Sequence, residues 1–165
     1  MPTYVLTRRA ALLSFGAFAA AGLAACNTMP TAAVSPAASG FRIGAVNVDT
    51  TPLVAYVGNP TASWAQQALP GALAQALGGH MAPGDPGAAT LSVRIDSLYL
   101  GGGGPADPDR IRGVAMLGGH TISVRAVSTY FSNPTDQALP EQALQGRVQS
   151  LAVAFAYRLK RKMGA

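Results

Sequence analysis

The sequence predicts an α+β domain. The expected architecture is a two-layer sandwich, with an antiparallel sheet of three or four strands and two helices in the order β-α-β-β(-β)-α. Three observations carry this reading. Leu91-Ser92-Val93-Arg94-Ile95 alternates apolar and polar residues with the period of a half-buried strand. Leu144, Val148, Leu151, Ala152, Phe155 and Leu159 recur at helical spacing near the end of the chain. A second helical pattern precedes the alternating stretch. Each amphipathic helix needs an apolar surface, and one sheet face serves both. Water is tolerated on the other face of an antiparallel sheet.

Phe41 to Val48 is partly alternating and rich in β-branched residues, so it reads as the first strand. Thr50 to Asn59 contains Pro52, Gly58 and Asn59 and reads as a connection. From Thr61 to Leu77, Trp64, Ala68, Ala72, Leu73, Ala76 and Leu77 fall near one helical face. Pro70 should kink or restart that helix, and Gly78-Gly79 should end it. His80 to Gly87 is loop. The strand at Leu91 is expected to continue to Leu100. Gly101 to Arg110, with four glycines, two prolines and two aspartates, reads as a mobile loop. Ile111 to Leu117 and Thr121 to Phe131 read as extended, with Gly118-Gly119 either a hairpin turn or a bulge between them. After Asn133-Pro134 the last helix runs from about Pro140 to Lys162. Arg147, Gln149, Arg158 and Arg161 lie mainly off its apolar face.

The first 26 residues have a different organisation. Arg8 and Arg9 come first, an apolar run from Ala10 to Ala25 follows, and small residues lead to Cys26, the only cysteine of the 165 residues. Positive charge, a short apolar stretch and small residues at its end are the parts of a cleaved export signal. The run is shorter than the ~20 apolar residues of a bilayer span. Three segments follow from this: residues 1–25 as signal peptide, 26–40 as a tether, and 41–165 as one domain. The tether, rich in Ala, Ser, Thr and Pro, buries too little apolar surface to order itself.

The chain carries 12 Lys and Arg against 7 Asp and Glu. Loss of Arg8 and Arg9 with the signal leaves ten against seven, a mild net charge of +3. That excess does not argue for nucleic acid. With Cys26 set apart, no thiol remains for a disulfide or a cysteine metal site.

No catalytic set emerges from the remaining residues. Leu77-Gly78-Gly79-His80 recurs as Leu117-Gly118-Gly119-His120. Two histidines without a thiol and with sparse acids are a poor metal set, because a metal site normally takes three or four protein ligands. Both read as loop residues after glycine turns, and the repetition as coincidence. Gly101 to Gly104 resembles a phosphate-cradling loop only in its glycines. Such a loop sits directly between a strand and a helix, whereas Pro105 and Asp107-Pro108-Asp109 follow here. Ser63, Ser92, Ser123 and Ser128 lie in no Gly-x-Ser-x-Gly elbow. Asp49 and Asp96 read as solvated carboxylates. The expectation is therefore a protein with no catalytic residues, no metal and no cofactor.

Leu23-Ala24-Ala25-Cys26 resembles the lipobox of bacterial lipoproteins, in which the cysteine is acylated and becomes the new N-terminus. Thr7-Arg8-Arg9-Ala10-Ala11-Leu12 resembles a twin-arginine signal, without the phenylalanine that would follow the pair; general secretion is the other route. The mature region resembles the small β-α-β-β-α lipoproteins of the bacterial envelope, including the lipopolysaccharide-assembly lipoprotein that plugs a transport barrel and the auxiliary lipoproteins of lipid-transport systems. The similarity lies in the tether, in Leu91 to Leu100 and Thr121 to Phe131, and in the closing helix with Arg147-Val148 and Leu151-Ala152. It implies a non-catalytic accessory or assembly subunit held to the membrane through acylated Cys26. Such a subunit would face the periplasm and bind an envelope protein or transport complex. Asn27, rather than aspartate, follows Cys26, which points to the outer membrane. The alternative is a lipoprotein that binds a small molecule, lipid or glycan; an enzyme ranks third. The basic tail Arg158, Lys160, Arg161 and Lys162 complements the dipole at a helix C-terminus. Contact with anionic lipid or lipopolysaccharide phosphates is the competing account of the same residues.

Overall fold

A computed structural model of the chain describes residues 40–102, 104–129 and 140–165. Strand β1 (Ile43–Asp49) is followed by helices α1 (Thr51–Val57) and α2 (Asn59–Ala76). Strands β2 (Ala89–Tyr99), β3 (Asp109–Leu117) and β4 (His120–Ser128) come next, and helix α3 (Pro140–Met163) closes the chain. The four strands form one sheet in the order β1-β2-β3-β4. Helix α2 packs against β1 and against α3, which in turn lies over β3 and β4. The result is an α+β arrangement with its helices on one side of the sheet.

The sheet is mixed rather than antiparallel. β1 and β2 run parallel, while β2-β3 and β3-β4 are antiparallel. The reason lies in the connection: a helix lying along the sheet returns the chain to the end where it started, so the next strand runs in the same direction. A tight turn reverses direction instead. Leu117 and His120 pair across Gly118 and Gly119, whose φ values of 56° and 82° give the left-handed backbone that a two-residue hairpin requires. Gly118-Gly119 is thus the turn and not a bulge.

A third helix occupies the stretch expected to be a connection. Pro52 stands in the first turn of α1, where its missing N–H costs no hydrogen bond. The Asp49 carboxylate accepts the Thr51 N–H at 2.9 Å just before it, and Leu53 is fully buried. Helix α2 continues through Pro70 without a restart. Its buried face comprises Ala62, Ala65, Leu69, Ala72, Leu73 and Ala76, while Trp64 and Ala68 stand at the border. On α3 the expected apolar stripe is buried from Val148 onward, whereas Leu144 is exposed at its start.

Two irregularities keep apolar residues inward. β2 buries Leu91, Val93, Ile95 and then Leu98, a step of three rather than two. The pairing with β3 shifts between Ile95 and Ser97, so Asp96 is the extra residue of a bulge and Leu98 returns to the core face. Opposite that bulge, a Cβ on Gly113 would stand 2.4 Å from the Arg94 carbonyl oxygen, so the approach of the two strands requires glycine. β1 has a similar shift between Ile43 and Ala45. The core between the layers is built from Leu69, Leu73, Leu91, Ile95, Ile111, Leu151, Phe155 and Leu159, all essentially inaccessible to solvent.

Candidate functional site

Arg8, Arg9 and Cys26 lie outside the described residues, as does nearly all of the tether. Among the described residues no helix is long and apolar enough to cross a membrane. The two histidines, both expected in loops after glycine turns, are placed differently: His80 in a turn and His120 as the first residue of β4. His80 ends a short 3-10 turn and stacks on Phe41, with ring centroids 4.4 Å apart and planes inclined by 18°. His120 is exposed at the start of β4 and lines a shallow cleft with Phe41, Arg42 and Leu117. The fold therefore places both near Phe41. Among the described residues no three His, Cys, Asp or Glu side chains gather as metal ligands.

The carboxylates have structural partners. Asp49 holds the start of α1, and Asp96 pairs with Arg94 at 2.8 Å. Asp85 accepts the Gly87 N–H at 2.9 Å and forms an ion pair with Arg42. These hydrogen bonds hold the Asp49 and Asp85 carboxyls below the ordinary aspartate range. Near the other end of β1, Thr50 donates to Gln66 Oε1 and Gln66 Nε2 donates to the Val48 carbonyl, both at 2.9 Å, tying the strand to α2.

Asp109 departs most from the sequence expectation. It opens β3 instead of belonging to the loop, and it is fully buried. Arg147 of α3, expected off the apolar face, reaches it through Nε at 3.0 Å and through Nη2. The same Nη2 donates to the Gly101 carbonyl, and the Gly101 N–H donates to Asp109 at 3.0 Å. This buried pair links the loop after β2 to α3. Its signal in the sequence is the alternation of β3, which extends from Ile111 back to Asp109, together with the helical spacing from Arg147 to Leu151.

The face of the sheet opposite the helices is unusually basic. It presents Arg94, Arg110, Arg112 and Arg125, with Val114, Met116 and Val127 among them. Arg94 is paired with Asp96, while Arg110 lies 3.6 Å from Asp107 and 5.2 Å over the Tyr99 ring. Arg112 and Arg125 stand directly opposite each other across β3 and β4. Neither has a carboxylate partner among the described residues.

β4 is an edge strand. Lys162 of α3 donates to the Ser123 carbonyl at 2.7 Å, which shows that the backbone groups of alternate β4 residues point outward from the sheet. Between this edge and α3 runs an open groove of about 540 Å³. Arg125 and Val127 line it from the strand; Ala154, Tyr157, Arg158 and Arg161 line it from the helix. The four helical residues follow i, i+3, i+4, i+7 spacing and so form one stripe. Between α1 and the end of β2, Tyr56, Val57, Leu98 and Tyr99 line a more apolar depression, where Tyr56 is 79% exposed.

No protein-family model, curated protein or solved structure matches this chain.

Proposed function

We propose that the chain is a lipid-anchored, periplasm-facing accessory or assembly subunit of a cell-envelope system, without catalysis of its own. The observation that carries this reading is the N-terminal order Arg8-Arg9, apolar run, Leu23-Ala24-Ala25-Cys26. Acyl chains on Cys26 would supply the anchor: each buried methylene contributes ~0.8 kcal/mol, and two or more chains hold stably. The absence of a nucleophile, base and acid set in the sequence supports a binding role. An open basic sheet face and the outward backbone groups of β4 give that role a surface, since an edge strand is a template for pairing with another chain.

Replacement of Cys26 by Ser tests the anchor. The expected product is unprocessed precursor or soluble protein. Salt-resistant membrane attachment of a mature-sized Cys26→Ser protein would overturn it. Isolation of the wild-type protein from membranes tests the role: a subunit brings a stoichiometric partner, whereas a solute- or glycan-binding lipoprotein does not. Density-gradient fractionation should place the protein with outer-membrane markers. Migration with inner-membrane markers would refute that assignment.

A further inference from the structure

We infer that the groove between β4 and α3 binds the phosphate groups of an anionic lipid surface through Arg125, Arg158 and Arg161. Three arginines from two separate elements line one groove. None of them forms an ion pair among the described residues. A helix dipole accounts for basic residues only in the last turn, so it covers Arg161 but reaches neither Arg158, five residues before the end of α3, nor Arg125 on a strand. Arg125 also faces Arg112 directly across the ladder, an arrangement of like charges that destabilises a sheet. A phosphate bound beside Arg125 would relieve that repulsion, and guanidinium suits phosphate because its planar fork donates two parallel hydrogen bonds.

The apolar residues around the groove select a lipid surface over a soluble polyanion. Tyr157 and Val127 are each 50% exposed within the groove, and Val153 is 41% exposed one helical turn before Tyr157. Aromatic and aliphatic side chains interleaved with cations fit the boundary between headgroups and acyl chains, where one end of a tyrosine is wet and the other is not. This contact is compatible with a lipid anchor at Cys26 and does not depend on it.

The experiment uses the full-length Cys26→Ser chain, which carries no acyl group. Its binding to phosphatidylglycerol-containing vesicles is compared with binding to phosphatidylcholine vesicles by co-sedimentation. Two further chains are measured. One carries Arg125→Gln, Arg158→Gln and Arg161→Gln. The other carries Asn47→Asp, Gln67→Glu and Gln75→Glu, exposed positions that lower the net charge by the same amount outside the groove. The parent should prefer anionic vesicles. The arginine triple should lose roughly a hundredfold of that affinity, from about a factor of five for each of the basic residues at an anionic surface. The charge-matched control should keep most of it. Full binding by an arginine triple with an unchanged melting curve would overturn the inference. Equal loss in the control would overturn it too, because net charge would then suffice. If the triple melts early, Arg158→Gln alone decides: about fivefold weaker binding supports the groove, and none sinks it. Inhibition by inorganic phosphate beyond that of chloride at equal ionic strength would indicate a discrete phosphate site instead of a surface. Tighter binding to duplex DNA than to the vesicles would reject a lipid ligand.

Discussion

Arg147 and Asp109, 38 positions apart, form a two-pronged ion pair in which the carboxylate is fully buried and the guanidinium nearly so. A third hydrogen bond carries the pair to the Gly101 carbonyl. Removing one partner of such a pair leaves an uncompensated charge in a low-dielectric site, which costs roughly 3–5 kcal/mol. Arg147→Ala should therefore lower stability by about that amount in denaturant titration. Replacing both residues, as Asp109→Leu with Arg147→Met, should cost clearly less than Arg147→Ala alone. A double variant as unstable as the single one would show that the two side chains do not act as a pair.

Helix α3 joins the core through Leu151, Phe155 and Leu159. Burying one such side chain contributes roughly 1.5–3 kcal/mol, a large share of the ~5–15 kcal/mol of a typical domain. Leu151→Asp should unfold the domain, as read by circular dichroism and thermal melting. Arg158→Glu, at an exposed position of the same helix, should leave the melting curve nearly unchanged. Equal tolerance of the two substitutions would make α3 peripheral.

Asp49 and Asp85 are more acidic in the folded chain than an isolated aspartate, whose value is 3.8, because backbone and side-chain donors favour their charged forms. A depressed folded pKa gives stability that is present above the unfolded value and lost as pH falls through the folded one. The melting temperature should therefore decline below about pH 4. Asp49→Asn with Asp85→Asn should flatten that decline and leave the neutral range little affected. Both carboxylates are on the surface, so the effect is small. An acid limb as steep in the double variant as in the wild type would assign the loss to other groups.

His80 and His120 are expected to be dispensable for function. Their replacement by Asn keeps polarity and approximate size but removes the basic nitrogen that acid–base or metal chemistry needs. The double variant should fold, losing at most the His80–Phe41 stacking, about 0.5–1.5 kcal/mol. It should also complement a deletion strain. A folded double variant that fails to complement, with a bound metal present only in the wild type, would move the assignment toward metal or catalytic chemistry.

Much of the fold is legible locally. The alternation from Leu91 to Ile95 places β2, and the apolar recurrence from Val148 to Leu159 places α3, because one buried face imposes its period on the residues that supply it. Pro52 misleads because proline breaks a helix on average, yet a first-turn position loses no hydrogen bond; Pro70 lies inside α2 without restarting it, beside the buried Leu69 and Leu73. The basic groove is half legible: Arg158 and Arg161 share a helical stripe, but their convergence with Arg125 depends on which strand lies at the sheet edge.

By itself, the sequence determined α2, α3 and the alternating strands, and with them the α+β class, for each rests on patterns within a few dozen residues; α1 was hidden by Pro52 and Gly58. Tertiary structure decided what depends on distant partners. It made β1 parallel to β2, turned Asp109 from a loop residue into a buried charge by supplying Arg147, and brought strand and helix arginines to one edge. The physical reason is that hydrophobic period is a one-dimensional signal, while ion pairs, strand direction and surface charge are set by proximity in three dimensions.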